Sequence, residues 1–280
     1  MQIIETVSEM RTLAASLNLE GKTIALVPTQ GALHVGQEAL IRAAKARADA
    51  VVVSIFVNPL QFPSNEVPAN YPRRREADLQ LCAATGATAV FIPSNEEIYP
   101  KGFSTYVSEE ITSRFLCGPS RPTHFRGVAT LMAKLFNIIR PDYAFFGEKT
   151  VQRAAVIRKM VQDLEFGVEI LVVPTVREAD GLAAGVRNHE FTPTMRQEAA
   201  AIYTALKRAK EMVDAGVRSP DRLVAEATHI LGERRRVRVI YVTIVDIRTM
   251  ETAREIVPGQ CMMAIAVWID EVRLIDNGVL

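Results

Sequence analysis

The stretch Val27-Pro28-Thr29-Gln30-Gly31-Ala32-Leu33-His34-Val35-Gly36-Gln37 follows an apolar run and precedes a helix-like one. An open α/β sheet places its phosphate-binding turn at such a point. Two familiar phosphate motifs fail here. There is no G-x-G-x-x-G, and although Gly31 and Gly36 are spaced as in a P-loop, Gln37-Glu38 stands where Lys-Ser/Thr is required. What remains is His34-x-Gly36 at a helix start. An imidazole there can hydrogen-bond a nucleotide phosphate, and Gly36 lets a nucleotide approach the backbone; a solvent-facing loop histidine is the plainer reading of the motif alone. Three more groups bear on the choice. Asn58 and Gln61 close the run 53–62, Arg121, His124 and Arg126 precede an apolar helix, and Lys149 follows a short strand. Each alone is an ordinary loop group. Together they put amides and cations at the ends of several strands, where α/β sheets bind ligands.

The positioning elements follow from apolar patterning. Residues 23–27 form a short apolar run ended by Pro28, and 50–57 is apolar and β-branched throughout, as in a strand covered on both faces. Strands are also expected at 88–92, 143–146 and 168–173. Helices are expected at 38–50, 76–85, 127–139 and 151–164. Strand–helix–strand repetition of this kind specifies a doubly wound parallel α/β sheet with right-handed crossovers. Beyond about residue 176 the character changes. Thr192-Pro193 opens a helix to about 215, Ser219-Pro220 another to 231, and strands are expected at 237–245, 261–269 and 272–275. The division expected is a Rossmann-like domain over 1–176 and a smaller α+β domain over 177–280.

Composition narrows the function. The chain has 280 residues, with 33 Lys+Arg against 32 Asp+Glu, 49% hydrophobic and 23% charged residues. That is a globular mixture, and a net charge of +1 argues against a nucleic-acid coat. The longest apolar stretch, nine residues over 261–269, is too short for a bilayer span, and the first residues lack a signal-peptide pattern. Cys82, Cys117 and Cys261 are widely spaced and odd in number, giving no disulfide framework and no metal site. A cytoplasmic protein without membrane or nucleic-acid partners is expected.

With these blocks in order along essentially the whole chain, the sequence resembles the pantothenate synthetases (pantoate–β-alanine ligases). The matching segments are 26–36, 53–62, Tyr71-Pro72-Arg73, 121–136, Pro141-Asp142, 146–149, 174–182 and Arg273-Leu274-Ile275-Asp276-Asn277. The resemblance implies a Rossmann-like fold of nucleotidyl-transferase type, a C-terminal lid domain and a homodimer through the larger domain. It implies an ATP- and Mg²⁺-dependent ligase that joins pantoate to β-alanine through a pantoyl adenylate. It further implies catalytic roles for His34, Gln37, Lys149 and Arg187. ATP would meet Thr29, Gln30, Gly31, His34, Gly36, Gly147, Lys149, Thr150, Val176, Gly185, Val186 and Arg187. Gln61 and Arg153 stand where the family holds the acid. Asn58, Tyr71, Asp78, Arg121 and His124 fall where side chains would support the site or line an amine pocket. Pro28, Phe56, Val128 and Leu131 would form an apolar wall, or equally pack the core. His34, Gln61, Lys149 and Arg153 are expected around one cleft.

The departures from the family pattern cluster in the site. Gln37 replaces the second His of H-x-G-H and cannot act as a cation. Thr150 replaces an Asp, Gly185-Val186 replace two Ser, Gln30 replaces a Met, and Arg153 replaces the Gln that accompanies Gln61. Three readings follow: an ordinary member of the family, a diverged member joining a different, more anionic acid to an amine or other nucleophile with reduced or lost adenylation, and a non-catalytic binding protein on the same scaffold.

Overall fold

The apolar runs form strands close to where the patterning predicts, although Pro28 does not end its strand: it pairs with Ser54 and the strand runs on to Thr29. The computed structural model describes residues 1–62 and 71–280. Its elements run β1 (Gln2–Ile4), α1 (Val7–Leu19), β2 (Ile24–Thr29), α2 (Val35–Arg47), β3 (Ala50–Ile55), α3 (Arg75–Ala84), β4 (Ala89–Phe91), α4 (Asn95–Ile98) and α5 (His124–Ile139). Then come β5 (Tyr143–Gly147), α6 (Val151–Asp163), β6 (Glu169–Val173), α7 (Pro193–Ala199), α8 (Ala201–Asp214), α9 (Pro220–Gly232), β7 (Val237–Asp246), β8 (Cys261–Ile269) and β9 (Val272–Val279). The chain divides into two units. One comprises Met1–Gly147 with Val151–Pro174, the other Glu148–Thr150 with Thr175–Leu280.

The first unit is a six-stranded sheet in the order β1-β4-β3-β2-β5-β6, with every pairing parallel. Side chains alternate across a strand, so each of β2 and β3 feeds two cores. Ile24, Leu26 and Val52 pack with Met10, Ala14 and Leu17 of α1 and with the apolar faces of α5 and α6. Ala25, Val27, Val51 and Val53 pack with Leu40, Ile41 and Ala44 of α2 and with Cys82 of α3. Burial on both faces is what the continuous apolar runs require. Each fully buried Val, Leu or Ile contributes about 1.5–3 kcal/mol. Strand order reverses beside β2, since β3 lies on one side and β5 on the other. The carboxyl ends of β2 and β5 therefore mark the topological switch point, the ligand crevice of open α/β sheets.

The second unit has an antiparallel sheet in the order β7-β8-β9. The apolar face of α8 (Ile202, Ala205, Leu206, Ala209) packs with Met263, Ile265 and Val267 of β8.

The doubly wound parallel sheet and the small C-terminal α+β unit are as the sequence predicts, with differences in detail. The helix expected over 38–50 runs from Val35 to Arg47, and the strand expected over 50–57 ends at Ile55. Strand β1 and helix α1 were not expected. The helix expected over 192–215 is two helices joined at Ala200, where ψ tightens to −20°. The last strand runs to Val279 rather than 275, because Asp276 and Asn277, polar residues that read as a strand end, are buried by specific partners described below.

Candidate active site

The turn after β2 is built by a glycine and a carboxylate. Gly31 has φ +86°, and a Cβ there would meet Ile55 Cγ2 at 3.1 Å and Asp78 Oδ2 at 3.2 Å. Asp78, buried on α3, accepts the Ala32 N–H at 2.9 Å and the Leu33 N–H at 2.7 Å, anchoring the approach to His34. Hydrogen bonds to a charged acceptor contribute about 1.5–3 kcal/mol each. Asp78→Ala is therefore expected to lower stability by about 2–4 kcal/mol. Urea unfolding should show a lower midpoint at unchanged slope; a midpoint equal to wild type would mean the turn holds itself.

His34 is the N-cap of α2. Its Nδ1 accepts the Gly36 N–H at 3.1 Å, which puts the imidazole proton on Nε2 and makes that atom the donor. Gly36 does more than open the backbone to a nucleotide. A Cβ at this position would sit 2.9 Å from His34 Cε1, so the glycine makes room for the imidazole itself. Gln37 completes a capping box, its Oε1 accepting the His34 N–H at 3.1 Å. Its amide thus has a local structural partner, a role the family resemblance at this position did not suggest.

The turn after β3 is equally determined. Asn58 is wholly buried. Its Nδ2 donates to Gly127 O at 2.9 Å, and its Oδ1 accepts from Leu60 N–H at 3.2 Å and Tyr99 O–H at 2.9 Å. Asn58 thus fixes the turn that carries Gln61. The Gln61 carbonyl lies 3.0 Å from His124 Nδ1 and accepts from Arg121 Nη2 at 3.3 Å. The Gln61 side chain accepts from Gln30 Nε2 at 3.0 Å, joining the turns after β2 and β3. Thr29 Oγ1 donates to Ser54 O at 2.8 Å and so belongs to the strand pair. Of the expected apolar wall, Phe56, Val128 and Leu131 are part of the main core, while Pro28 is half-buried. A cavity of about 340 Å³ opens at the carboxyl ends of β3 and β4, bordered by Gln30, Gly31, Phe56, Arg73 and Asn95.

Arg153 lies in the first turn of α6, beside the charge of Arg121 and near Tyr71 and Cys117. The preceding residue, Gln152, ties the helix start to the neighbouring loop. Its Oε1 accepts the Cys117 N–H at 3.0 Å, and its Nε2 donates to Thr112 O at 3.1 Å.

Lys149 belongs to the second unit, with Thr150, Val176, Gly185, Val186 and Arg187. Its Nζ donates to Ala184 O at 3.0 Å and Ala183 O at 3.4 Å. Burial pushes the Lys149 ammonium below the usual lysine range; Asp276 and Glu178 oppose that shift and Arg177 adds to it. Gly185 is what admits this arrangement, for a Cβ there would lie 2.8 Å from Lys149 Nζ. Asn277 Nδ2 donates to Glu148 O at 2.9 Å and Lys149 O at 3.2 Å, while Arg177 grips Asp276 with two bonds of 2.7 and 3.1 Å. Asn188 Nδ2 donates to Ala183 O at 3.0 Å and shapes the loop that carries Arg187. The sequence reading missed Asp276, Asn277 and Asn188 as parts of this cradle. The available signals were the adjacent polar pair Asp276-Asn277 after Leu274-Ile275 and its place in a segment that resembles the family.

The structure thus joins Gln30, Gln61, Arg121, His124 and Arg153 within the first unit, and Lys149 with the 183–188 loop within the second. The comparisons agree with this architecture. The family model for pantoate-beta-alanine ligase matches residues 2–279. The chain is 45% identical to the pantothenate synthetase of Moorella thermoacetica over 280 residues, covering 100% of this chain and 99% of that protein. It is 46% identical to that of Carboxydothermus hydrogenoformans, at 100% and 99% coverage. The crystal structure of the Thermus thermophilus pantothenate synthetase superposes with a TM-score of 0.94 at 40% identity, covering 100% and 99%. The Francisella tularensis pantoate-beta-alanine ligase, solved with beta-gamma ATP and beta-alanine, superposes with a TM-score of 0.82 at 31% identity, covering 100% and 97%. Matched from end to end in sequence and in fold, the chain belongs to the pantoate–β-alanine ligase family.

Proposed function

We propose that the chain joins pantoate to β-alanine with ATP, releasing pyrophosphate and then AMP. The observation that carries this reading is the polar cluster of Gln30, Gln61, Arg121 and His124 at the carboxyl ends of β2 and β3, in a chain whose full-length relatives are pantothenate synthetases. A carboxylate is a poor electrophile. Attack of its oxygen on the α-phosphorus forms the acyl adenylate as the bond to pyrophosphate breaks. The β-alanine amine then attacks the acyl carbon, loses a proton and expels AMP.

The chain's groups suit those steps. His34 Nε2–H is a neutral donor for a phosphate oxygen. Gln61 offers its amide N–H to the acid, its Oε1 being engaged by Gln30. Lys149 and Arg187 supply positive charge for the triphosphate, where preorganised cations lower the barrier. Arg187 makes no ion pair among the described residues, which suits a ligand-facing guanidinium. As for Mg²⁺, no three His, Cys, Asp or Glu side chains converge among the described residues. The ion therefore fits as a companion of the nucleotide's phosphates, its usual manner of binding, rather than in a protein cage. Among the described residues no helix is long and apolar enough to cross a membrane. A cytoplasmic location and a homodimer through the first unit are part of this proposal and rest on the family resemblance.

The direct test supplies ATP, pantoate and β-alanine and follows pyrophosphate, AMP and product mass. Pantothenate and stoichiometric AMP are expected. No pyrophosphate with pantoate or any other acid would leave only a binding protein on this scaffold.

The departures at Gln37, Gly185 and Val186 carry their own expectation. Gln37→His combined with Gly185→Ser and Val186→Ser restores a chargeable group and two hydroxyls. The new Cβ at 185 also crowds Lys149 Nζ off the Ala184 carbonyl. ATP binding measured by calorimetry should tighten by about five- to tenfold, the worth of exchanging one neutral hydrogen bond for a charged one. Unaltered affinity would show that other residues already supply those contacts.

A further inference from the structure

The Nε of Arg153 is buried and has no hydrogen-bond partner. Among the described residues no carboxylate forms an ion pair with this guanidinium either. Among the described residues the charge that acts on it most is another cation, Arg121, whose Nη2 donates to Gln61 O at 3.3 Å. Burial first, and Arg121 second, push the Arg153 pKa down, so the protein itself opposes the charge it has placed there. Arg153 also stands in the first turn of a 13-residue helix, where the backbone dipole adds further positive potential. An enclosed guanidinium without an anion is costly. Two guanidiniums and a helix N-terminus beside an acid-binding amide are a binding site waiting for negative charge.

The charge that belongs there is not the reacting carboxylate. A guanidinium fork clamped on that group would withdraw electron density from the oxygen that must attack phosphorus. The planar fork instead matches a second carboxylate or a phosphate, which it can hold through two parallel bonds. We propose that this site accepts, besides pantoate, a 2-hydroxy acid of similar size bearing a second anionic group at the end remote from the reacting carboxylate. The proposal rests on the ligase reading above. The covalent chemistry is unchanged: the carboxylate–phosphorus bond forms, pyrophosphate leaves, and the second anion takes no part.

The test uses the full chain and three probes: pantoate, pantoate phosphorylated on its terminal hydroxyl, and the branched hydroxy dicarboxylate citramalate. AMP formation with β-alanine, product mass and calorimetric binding are followed for each. The ratio of kcat/KM for the better doubly charged probe to that for pantoate should fall by about 30-fold or more in Arg153→Gln, the scale of removing one partner of an enclosed charge pair. Arg153→Lys, which keeps the charge and loses the fork, should fall between. The two probes distinguish phosphate from carboxylate as the second group. If Arg153→Gln weakens every acid in equal proportion, Arg153 holds the common carboxylate and the proposal is wrong. It is equally wrong if the ratio does not move, or if pantoate is ligated while neither doubly charged probe binds. Should no acid yield AMP while a doubly charged probe binds in an Arg153-dependent way, the ligase reading fails and the anion site stands.

Discussion

Lys149→Ala should slow pyrophosphate release by about 10²-fold or more, the scale of losing one preorganised electrostatic donor. The ammonium is held by two neutral carbonyls, Ala183 O and Ala184 O, rather than by a carboxylate. The carboxylates that act on it, Asp276 and Glu178, are themselves bonded to Arg177, Asn188 and Arg196, so the ammonium stays available to a phosphate. The same surroundings give a pH signature. With the folded-state pKa lowered by burial, the ammonium loses its proton at a lower pH than an exposed lysine does. The rate should accordingly decline on the alkaline side at a lower pH than a solvent-exposed lysine would give. Lys149→Arg, charged throughout, should move that decline upward while recovering part of the rate. Stability runs the other way. Where the folded pKa is depressed, the unfolded state binds more protons, and stability rises as pH passes upward between the folded and unfolded values. Removing the side chain should therefore leave the thermal midpoint near neutral pH unchanged or slightly higher. A full rate in Lys149→Ala, with the fold intact, would take this residue out of the mechanism.

How legible each feature was in the sequence depended on how local its determinants are. Strands β2, β3 and β5 could be read because burial on both faces leaves an uninterrupted apolar run, and because Gly147 marks the end of β5. Strand β1 could not. It is three residues long and pairs with Ala89–Phe91, far along the chain. Helix α1 did leave a signal: Thr6 and Glu9 form a capping box, a readable T-x-x-E pattern. Strand β9 exceeded its expected end because Asp276 and Asn277 are drawn into the interior by Arg177 and by the carbonyls of Glu148 and Lys149. Those partners lie about a hundred residues or more away and leave no trace in local patterning.

The candidate site divides along the same line. His34, Asn58, Gln61 and Lys149 stood out because polar groups after apolar strands need a reason, and Arg121 because it precedes an apolar helix. What each one touches did not stand out. That Gln30 reaches the Gln61 side chain depends on β2 and β3 being neighbours in register. That Gln37 caps its own helix depends on the rotamer of an amide that could equally have faced a ligand. The Gly185 substitution reads in sequence as a lost hydroxyl; in the structure it is also the space occupied by Lys149 Nζ.

Gly127→Ala should be a severely damaging single-methyl change in the first unit. In an ordinary helix interior this substitution stabilises by up to about 1 kcal/mol. Here the added Cβ would lie 2.2 Å from Leu60 O, 2.5 Å from Leu60 C and 2.9 Å from Gln61 N, all of them backbone atoms. No side chain can rotate away, so either α5 or the Asn58–Gln61 turn must move. The two are also tied together, because Asn58 Nδ2 donates to the Gly127 carbonyl at 2.9 Å and the Gln61 carbonyl meets His124 and Arg121 at the start of α5. Overpacking of this kind costs about 1–3 kcal/mol, and the strained Asn58 bonds should bring the total to about 2–4 kcal/mol. The displaced Gln61 should also lower kcat/KM for pantoate by about 10²-fold, the penalty for misplacing a positioning group by roughly 1 Å. Gly232→Ala supplies the control, since nothing lies within 4 Å of its Cβ position at the end of α9. That variant should match or exceed wild type in urea midpoint and retain full turnover. If Gly127→Ala behaves like the control in both measurements, the close approach of α5 to the Gln61 turn does not set the geometry of the acid site.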